Sequence, residues 1–395
     1  MSDVLGDYGT SYELDVALRI DIEEMITQLS PYDAPFLGTY NGLENAPVPS
    51  ILPQGEVHNV QYDWLEDELL TPRATLRSAH TAGNDLELEV GGGARFQPDD
   101  LVRAIDGDGE TIHFRVTSVD YDNDDLSVSV WDGTDAAIDN GALIEGVGTL
   151  PVEGADPVEA RATDRSRLHN YTQIFGPYPV ELSETEQNVA KYGVTSEWDW
   201  QTAKRVKEAM VALEHALLYG VRKNDPTAKR RSMGGLDYYI KASNGSAVDT
   251  DTTSLSGSSG EEALLELQQQ AYANGGDPRL VVVGPDNKPD ISSWRKSDIR
   301  FQISETRRGQ VVTTFENDFG LVDILMHRWM RPNNLFLFNP EQAEVPTLRG
   351  RGLKWVKTAK TGDRDQAYVI TERGFKFRGA RHSGKMVALG TNSGS

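Results

Sequence analysis

NYTQIFGPYPVELSETEQNVAKYGVTSEWDWQTAKRVKEAMVALEHALLYGVRKNDPTAKRRSMGGL, residues Asn170–Leu236, combines an extended segment, one long amphipathic helix and a basic loop. Ser196, with Asp199 three positions on, reads as a capping box. Ala203, Val206, Met210, Leu213 and Leu217 then recur at spacings of 3, 4, 3 and 4, which makes one apolar stripe. Lys204, Lys207, Glu208 and Glu214 fall largely off that stripe. Gly220 stands where a left-handed C-terminal cap is expected, with Arg222 and Lys223 beyond it to complement the helix dipole. From Ser196 to Tyr219 such a helix is roughly 36 Å long at 1.5 Å per residue. Gly193 separates it from a shorter helical piece around Thr185–Lys191. Nothing in this stretch carries recognisable chemistry. It reads as a strut, and so long a strut in a β-rich chain suggests assembly, although an ordinary helix of a globular enzyme has the same pattern.

Composition narrows the classes. The chain has 395 residues, enough for two or three domains and a real core. Cys is absent, so a disulfide framework, a thiolate zinc site and a cysteine nucleophile are excluded. The start, MSDVLGDYGTSYELD, has no apolar segment, and neither a signal peptide nor a membrane span is expected. The formal charge is −22 and unevenly placed. Residues Met1–Arg165 hold 34 acidic and 8 basic side chains, a net of −26; Ser166–Ser395 carry a net of +4. No Lys precedes Lys191. So acidic a first half argues against nucleic-acid binding there, because phosphate contacts need Lys and Arg. High acidity with scarce Lys is also the pattern of proteins from salt-loving organisms, in which salt screens self-repulsion.

The order of segments reads as an α+β chain. Leu5–Asn45 is an arm with a short amphipathic helix at Asp21–Leu29, followed by SPYDAPFLGTY, too apolar for a solvated tail. Glu56–Leu70 alternates like a strand. Leu86–Val158 is an acidic β region, with alternating runs LELEV, DLVRAI, TIHFRVTSV, LSVSVW and ALIEGVGTLPV. Turn signals every 8–15 residues imply a small antiparallel barrel or sandwich. Lys241–Gly260 reads as a flexible loop, Glu261–Asn274 as a helix, Arg279–Val283 as a strand and Pro285–Lys296 as partly helical. From Gln310 to Leu389 the pattern is β again.

Motifs that could carry chemistry are weak. Asp120, Asp122 and Asp124 in DYDNDD resemble the start of a calcium loop, but position six is Asp125 instead of Gly and the terminal Glu is replaced by Trp131. A hairpin turn explains the run. Gly379–Lys385 (GARHSGK) has phosphate-loop spacing up to its lysine, yet Met386 follows where Ser or Thr is needed and MVAL is strand-like. The seven His residues form no metal pair, and no GxSxG elbow is present. Arg349–Lys360 (RGRGLKWVKTAK) is the one strong basic run with an aromatic; it suits a strand and loop facing an acidic neighbour. Lys229–Arg231 is similar.

Taken in order, SPYDAPFL (Ser30–Leu37), HNVQYDWLEDEL (His58–Leu69), EGADPVEARATDRSRLHNYTQIF (Glu153–Phe175), the Ser196–Tyr219 helix and RSMGGL (Arg231–Leu236) resemble the major capsid proteins of tailed bacteriophages and related viruses (Caudoviricetes). FENDFGLVDILMHRWM (Phe315–Met330), LFLFNPE (Leu335–Glu341) and AKTGDRDQAYVITERGFKFRGARHSGKMVAL (Ala359–Leu389) extend the likeness. The match is to the podophage-like group with an NYTQIF motif, within the Hong Kong phage-type capsid fold.

The resemblance implies an N-terminal arm at 1–50 and an extended loop at 51–175 carrying the acidic β insertion at about 85–158. It implies a peripheral domain at 176–233 with its spine helix at 196–219, an axial domain at 234–335, and closing peripheral strands at 336–395. It implies a virion protein, assembled in the host cytoplasm, that forms hexamers and pentamers of an icosahedral shell around double-stranded DNA, touched only non-specifically. Neighbouring capsomers, portal, decoration and scaffolding proteins are the implied partners. The chain starts at Met1, so any scaffold is expected to be separate. Subunit-interface candidates are Pro35, Phe36, Leu37, Tyr40, Trp64, Leu69, Leu70, Arg349, Arg351 and Lys354. The extended loop has no lysine, so a lysine crosslink from it is not expected. No cofactor, metal or enzyme activity is implied. The alternative is an acidic, calcium-dependent surface-layer or adhesin-like binding protein.

Overall fold

The computed structural model describes residues 34–37, 51–67, 69, 71–154, 165–189, 196–294, 314–360 and 362–390. The expected arm, with its helix at Asp21–Leu29, lies outside these except for 34–37. The chain divides into two compact units, residues 65–167 and the remainder. The split falls earlier and later than the insertion expected at 85–158.

The larger unit holds two six-stranded sheets. In the first, Gln54–Val57 runs parallel to Ala343–Leu348, which pairs with Arg364–Arg373; that strand in turn pairs along its length with Gln173–Ser183. Lys354–Lys357 and Lys376–Phe377 add to it. The spine helix, Glu197–Tyr219, packs across Gln173–Ser183 and Arg364–Arg373. Ser196 Oγ accepts the Asp199 amide at 3.3 Å, as the capping box requires.

Two expectations for this helix are corrected. Gly220 is not left-handed, at φ −58° and ψ 145°. Glycine is needed for a different reason: a Cβ there would lie 2.4 Å from Ala216 O and 2.6 Å from Met233 O. Glu214, read as lying off the apolar stripe, is fully buried together with Leu213, Leu217 and Leu218.

The second sheet is ordered Ala247–Asp249, Gly384–Met386, Leu335–Phe338, Leu280–Val283, Gly320–Met326 and Thr314–Asn317. Its two central strands, LVVV and LFLF, are buried at every position. Side chains alternate across a strand, so each can feed two cores. Leu280, Val282, Phe336 and Phe338 join the core beneath the spine helix. Val281, Val283, Leu335 and Leu337 join a second core with Leu264 and Leu267 of the helix Gly257–Ala273. The expected axial boundary at 335 therefore falls at the start of a central strand, and Gly384–Met386 returns to this sheet from the chain's far end. The stretch read as a flexible loop, Lys241–Gly260, contains the strand Ala247–Asp249 and the start of that helix.

The smaller unit is a closed antiparallel barrel. Arg73–Thr75, Leu143–Thr149, Asp100–Ile105, Thr111–Asp120, Asp125–Asp132 and Leu86–Glu87 pair in that order. A bridge between Leu76 and Leu88 joins first strand to last. Closure removes sheet edges. Leu86, Phe96, Val102, Ile112, Phe114, Leu126 and Ile144 are wholly buried in its own core. The chain enters and leaves through a two-stranded ribbon, Gln61–Glu66 against Ser166–Tyr171.

Candidate functional site

The chemistry of the NYTQIF segment is structural, and its polar letters converge on the basic loop beyond the spine helix. Asn170 is fully buried. Its Nδ2 donates to Gly234 O at 3.2 Å and to Phe375 O at 2.5 Å, while its Oδ1 accepts the Gly234 amide at 2.9 Å. Gln173 Oε1 accepts the Met233 amide at 3.1 Å. Tyr62, from the ribbon, clasps Phe375 from the other side: its hydroxyl accepts the Phe375 amide at 2.7 Å and donates to the Phe375 carbonyl at 2.9 Å. The pair of glycines in SMGGL has a steric cause. A Cβ on Gly235 would meet Ala216 O and Leu217 O at 2.6 Å, so only glycine lets this loop cross the end of the helix.

Thr172 brings in a second centre. Its hydroxyl donates to Glu372 Oε1 at 2.7 Å. Arg231 and Arg351 donate to the two oxygens of the same carboxylate, Arg351 Nε at 3.1 Å. The Glu372 side chain is 2% exposed. Burial pushes its carboxyl up, but the donors Thr172, Arg231 and Arg351 outweigh that and hold it below the ordinary range. An isolated charge here would be strongly unfavourable; three donors from separate segments make it a junction.

A third buried carboxylate, Glu214, lies on the spine helix. Its Oε1 accepts the Leu37 amide at 3.0 Å and its Oε2 faces His327 Nε2 at 3.1 Å. Burial pushes this carboxyl above its usual range, against the pull of those donors.

The interface candidates separate on burial. Phe36 and Trp64 were expected at subunit contacts, but Phe36 is wholly buried and Trp64 is 6% exposed. Phe36 packs on His327 and Phe338, and Trp64 on Tyr62 and Tyr239, because apolar arm and ribbon residues first fill this subunit's own core. Pro35 and Leu37 are half-buried beside Phe36. Leu69 is 92% exposed. Tyr40 and Leu70 lie outside the described residues. Arg349 is exposed and near Glu56, Arg351 belongs to the Glu372 junction, and Lys354 is exposed at the start of its strand. Sequence reasoning missed Asn170, Thr172, Glu214 and Glu372 as organising residues; only the polar letters inside apolar runs hinted at them.

The carboxylates of the acidic turn are turned to backbone amides. Asp120 accepts the Asp122 and Asn123 amides, and Asp124 accepts those of Gly91 and Gly93. These carboxylates shape a turn, and among the described residues no group of three potential metal ligands converges. GARHSGK does not cradle phosphate either: Gly384–Met386 is a strand, and Lys385 Nζ pairs with Asp237 at 2.9 Å. A polar cleft of about 210 Å³ beside Asp249, Asp251 and Glu266 has its Asp249 carboxylate committed to the Asp251 and Thr252 amides.

No curated protein matches the sequence. Among solved structures, the capsid of a native GTA particle aligns with a TM-score of 0.54 at 9% identity, covering 96% of this chain and 99% of that one. Chains from Microbacterium phage Oxtober96 (TM-score 0.48, 10% identity, 93% and 92% covered) and Mycobacterium phage Bobi (0.48, 10%, 98% and 99%) also align. At such identity the likeness concerns the fold, which is the Hong Kong phage-type capsid fold. The family model of the SU10 major capsid protein matches residues 5–390, so the chain belongs to the SU10 major capsid protein family.

Proposed function

We propose that this protein is the shell subunit of a tailed virus, joining copies of itself into hexamers and pentamers that close an icosahedral head around double-stranded DNA. The near full-length family match carries the reading. The role is mechanical, not enzymatic. The buried carboxylates Glu214 and Glu372 hold backbone amides, a histidine and arginines instead of opening onto a substrate cleft. Exposed apolar side chains such as Leu69, Val189, Val221 and Leu321 are available for burial against neighbours. Scaffolding, portal and decoration proteins are separate partners in this reading, and DNA is met by charge alone.

The test is negative-stain electron microscopy with light scattering on the purified protein, at low and high salt, alone and co-expressed with the adjacent virion genes. Closed angular shells or capsomer rings far above 43.6 kDa are the expected result. A monodisperse monomer under every one of these conditions would sink the reading.

A further inference from the structure

We infer that Glu214 is the receptor for the N-terminal arm, and that it couples the seat of the arm to the loop His327–Met330. Three segments far apart in sequence meet at this one carboxylate. Glu214 comes from the spine helix, Phe36 and Leu37 from the arm, and His327 from the end of the strand Gly320–Met326. The side chains of Glu214 and His327 are both 0% exposed.

The polarity of the contact is set from its far end. The Trp329 amide donates to His327 Nδ1 at 3.3 Å. That nitrogen is then the acceptor, so the ring hydrogen sits on Nε2 and points at Glu214 Oε2, 3.1 Å away. Glu214 Oε1 is left for the arm, and it accepts the Leu37 amide. The hydrogen bonds converge on Glu214 from two sides: the Trp329 amide donates to His327 and His327 to Glu214, while the Leu37 amide donates to the other carboxylate oxygen. The Phe36 ring closes the seat, 4.9 Å from the His327 ring and 6.4 Å from Phe338. The Phe36 carbonyl accepts the Leu52 amide at 3.2 Å, which fixes the turn from its other side.

This arrangement is complete only when the turn 34–37 is in place. Without it, a carboxylate oxygen stands in an apolar wall with no donor, which is strongly unfavourable. The seat therefore selects for an aromatic side chain followed by a free backbone amide. It also fixes the point from which residues 1–33 set out. In the shell-subunit reading, on which this consequence rests, that point decides which neighbour the arm can reach.

Hydrogen exchange by mass spectrometry on the full chain tests both halves. In Glu214→Leu the amides of 34–37 should exchange about tenfold faster or more, the size expected for losing a charge-assisted hydrogen bond, while helix residues 209–218 stay protected. Glu214→Gln keeps one acceptor oxygen and should restore part of the protection. Leu37→Pro removes the arm's donor together with the Leu37 side chain; the Trp329 amide should then exchange faster, since the carboxylate that orients its partner histidine is held from one side only, and Leu37→Ala, which keeps the donor, serves as the control. Unchanged exchange at 34–37 in a folded Glu214→Leu protein would overturn the receptor. Unchanged Trp329 exchange in Leu37→Pro would overturn the coupling. Should Glu214→Leu lose helix protection as well, the decision passes to Glu214→Gln and Leu37→Pro. All readouts are on the unassembled subunit, so a wild-type chain that never forms shells would refute the proposed function and leave the receptor standing.

Discussion

Glu372 and Asn170 each bind together segments that are distant in sequence, and each makes a separate prediction. Replacing Glu372 with Gln leaves two arginines facing a neutral amide and should cost about 3 kcal/mol, read as a lower denaturation midpoint with unchanged slope. Because its folded carboxyl is held below the ordinary range, Glu372 contributes stability that is present above the unfolded carboxyl range and lost as pH falls through the folded value. The wild type should therefore lose more stability on acidification than Glu372→Gln, and parallel pH curves for the two would count against the junction. Asn170→Ala strands the Gly234 amide and carbonyl and leaves Phe375 O with the Tyr62 hydroxyl alone, with an expected loss of about 2–4 kcal/mol; a change under about 0.5 kcal/mol would mean water replaces the side chain. Neither residue could be assigned from sequence alone. The Asn170 partners are 64 and 205 positions away, and no local period encodes such distances.

The spine helix was the most legible element, since its cap and apolar stripe are local features. Ser196→Ala should cost about 1 kcal/mol, the usual loss for an N-cap hydroxyl, and thermal unfolding measures it. Its far end was misread because glycine after a helix has two uses. Here the use is close approach: Gly220 and Gly235 cross, with the Gly235 amide donating to Gly220 O at 2.8 Å. Gly235→Ala should destabilise by about 1–3 kcal/mol or abolish soluble expression, whereas a left-handed cap would have placed the sensitivity in φ at Gly220. Glu214 was misread for the reason that hid Asn170: an acid at a core position looks like a solvated face until its partners are known. The strand Leu335–Phe338 was legible as apolar, but not as the wall between two cores, since a run buried on both faces shows no alternation.

Across the whole molecule the charge asymmetry and the two separate cores make further predictions. The barrel has its own hydrophobic centre and closes on itself, so heating should give two transitions in calorimetry, one from each unit. Most acidic side chains of the first half are on or near the barrel. Raising salt from about 0.1 to 1 M shortens the screening length from about 10 to 3 Å and should move the barrel's transition upward more than the other. Equal shifts would remove the case for a salt-adapted module. On intact particles, protease cleavage confined to the turns of the barrel is expected if the module faces outward; full protection of those turns would place it elsewhere. That a small antiparallel module lies here was readable from its alternating runs and Asp-Gly turns, but the choice between barrel and sandwich was not, because the Leu76–Leu88 bridge that closes it leaves no local pattern. Its limits were not, because the ribbon that delivers it has the same strand-like pattern as the strands inside.

That ribbon brings the two points of departure side by side. The Thr172 amide donates to Val60 O at one end, and Ser166 Oγ donates to Glu66 O at the other. A two-residue hairpin could join the strands there and omit everything between. The module thus enters and leaves the chain at neighbouring points, and it can be shortened, exchanged or replaced by a foreign domain without re-threading either sheet of the body. The body and the module become separately heritable, and a lineage can alter the one while leaving the strand order of the other untouched.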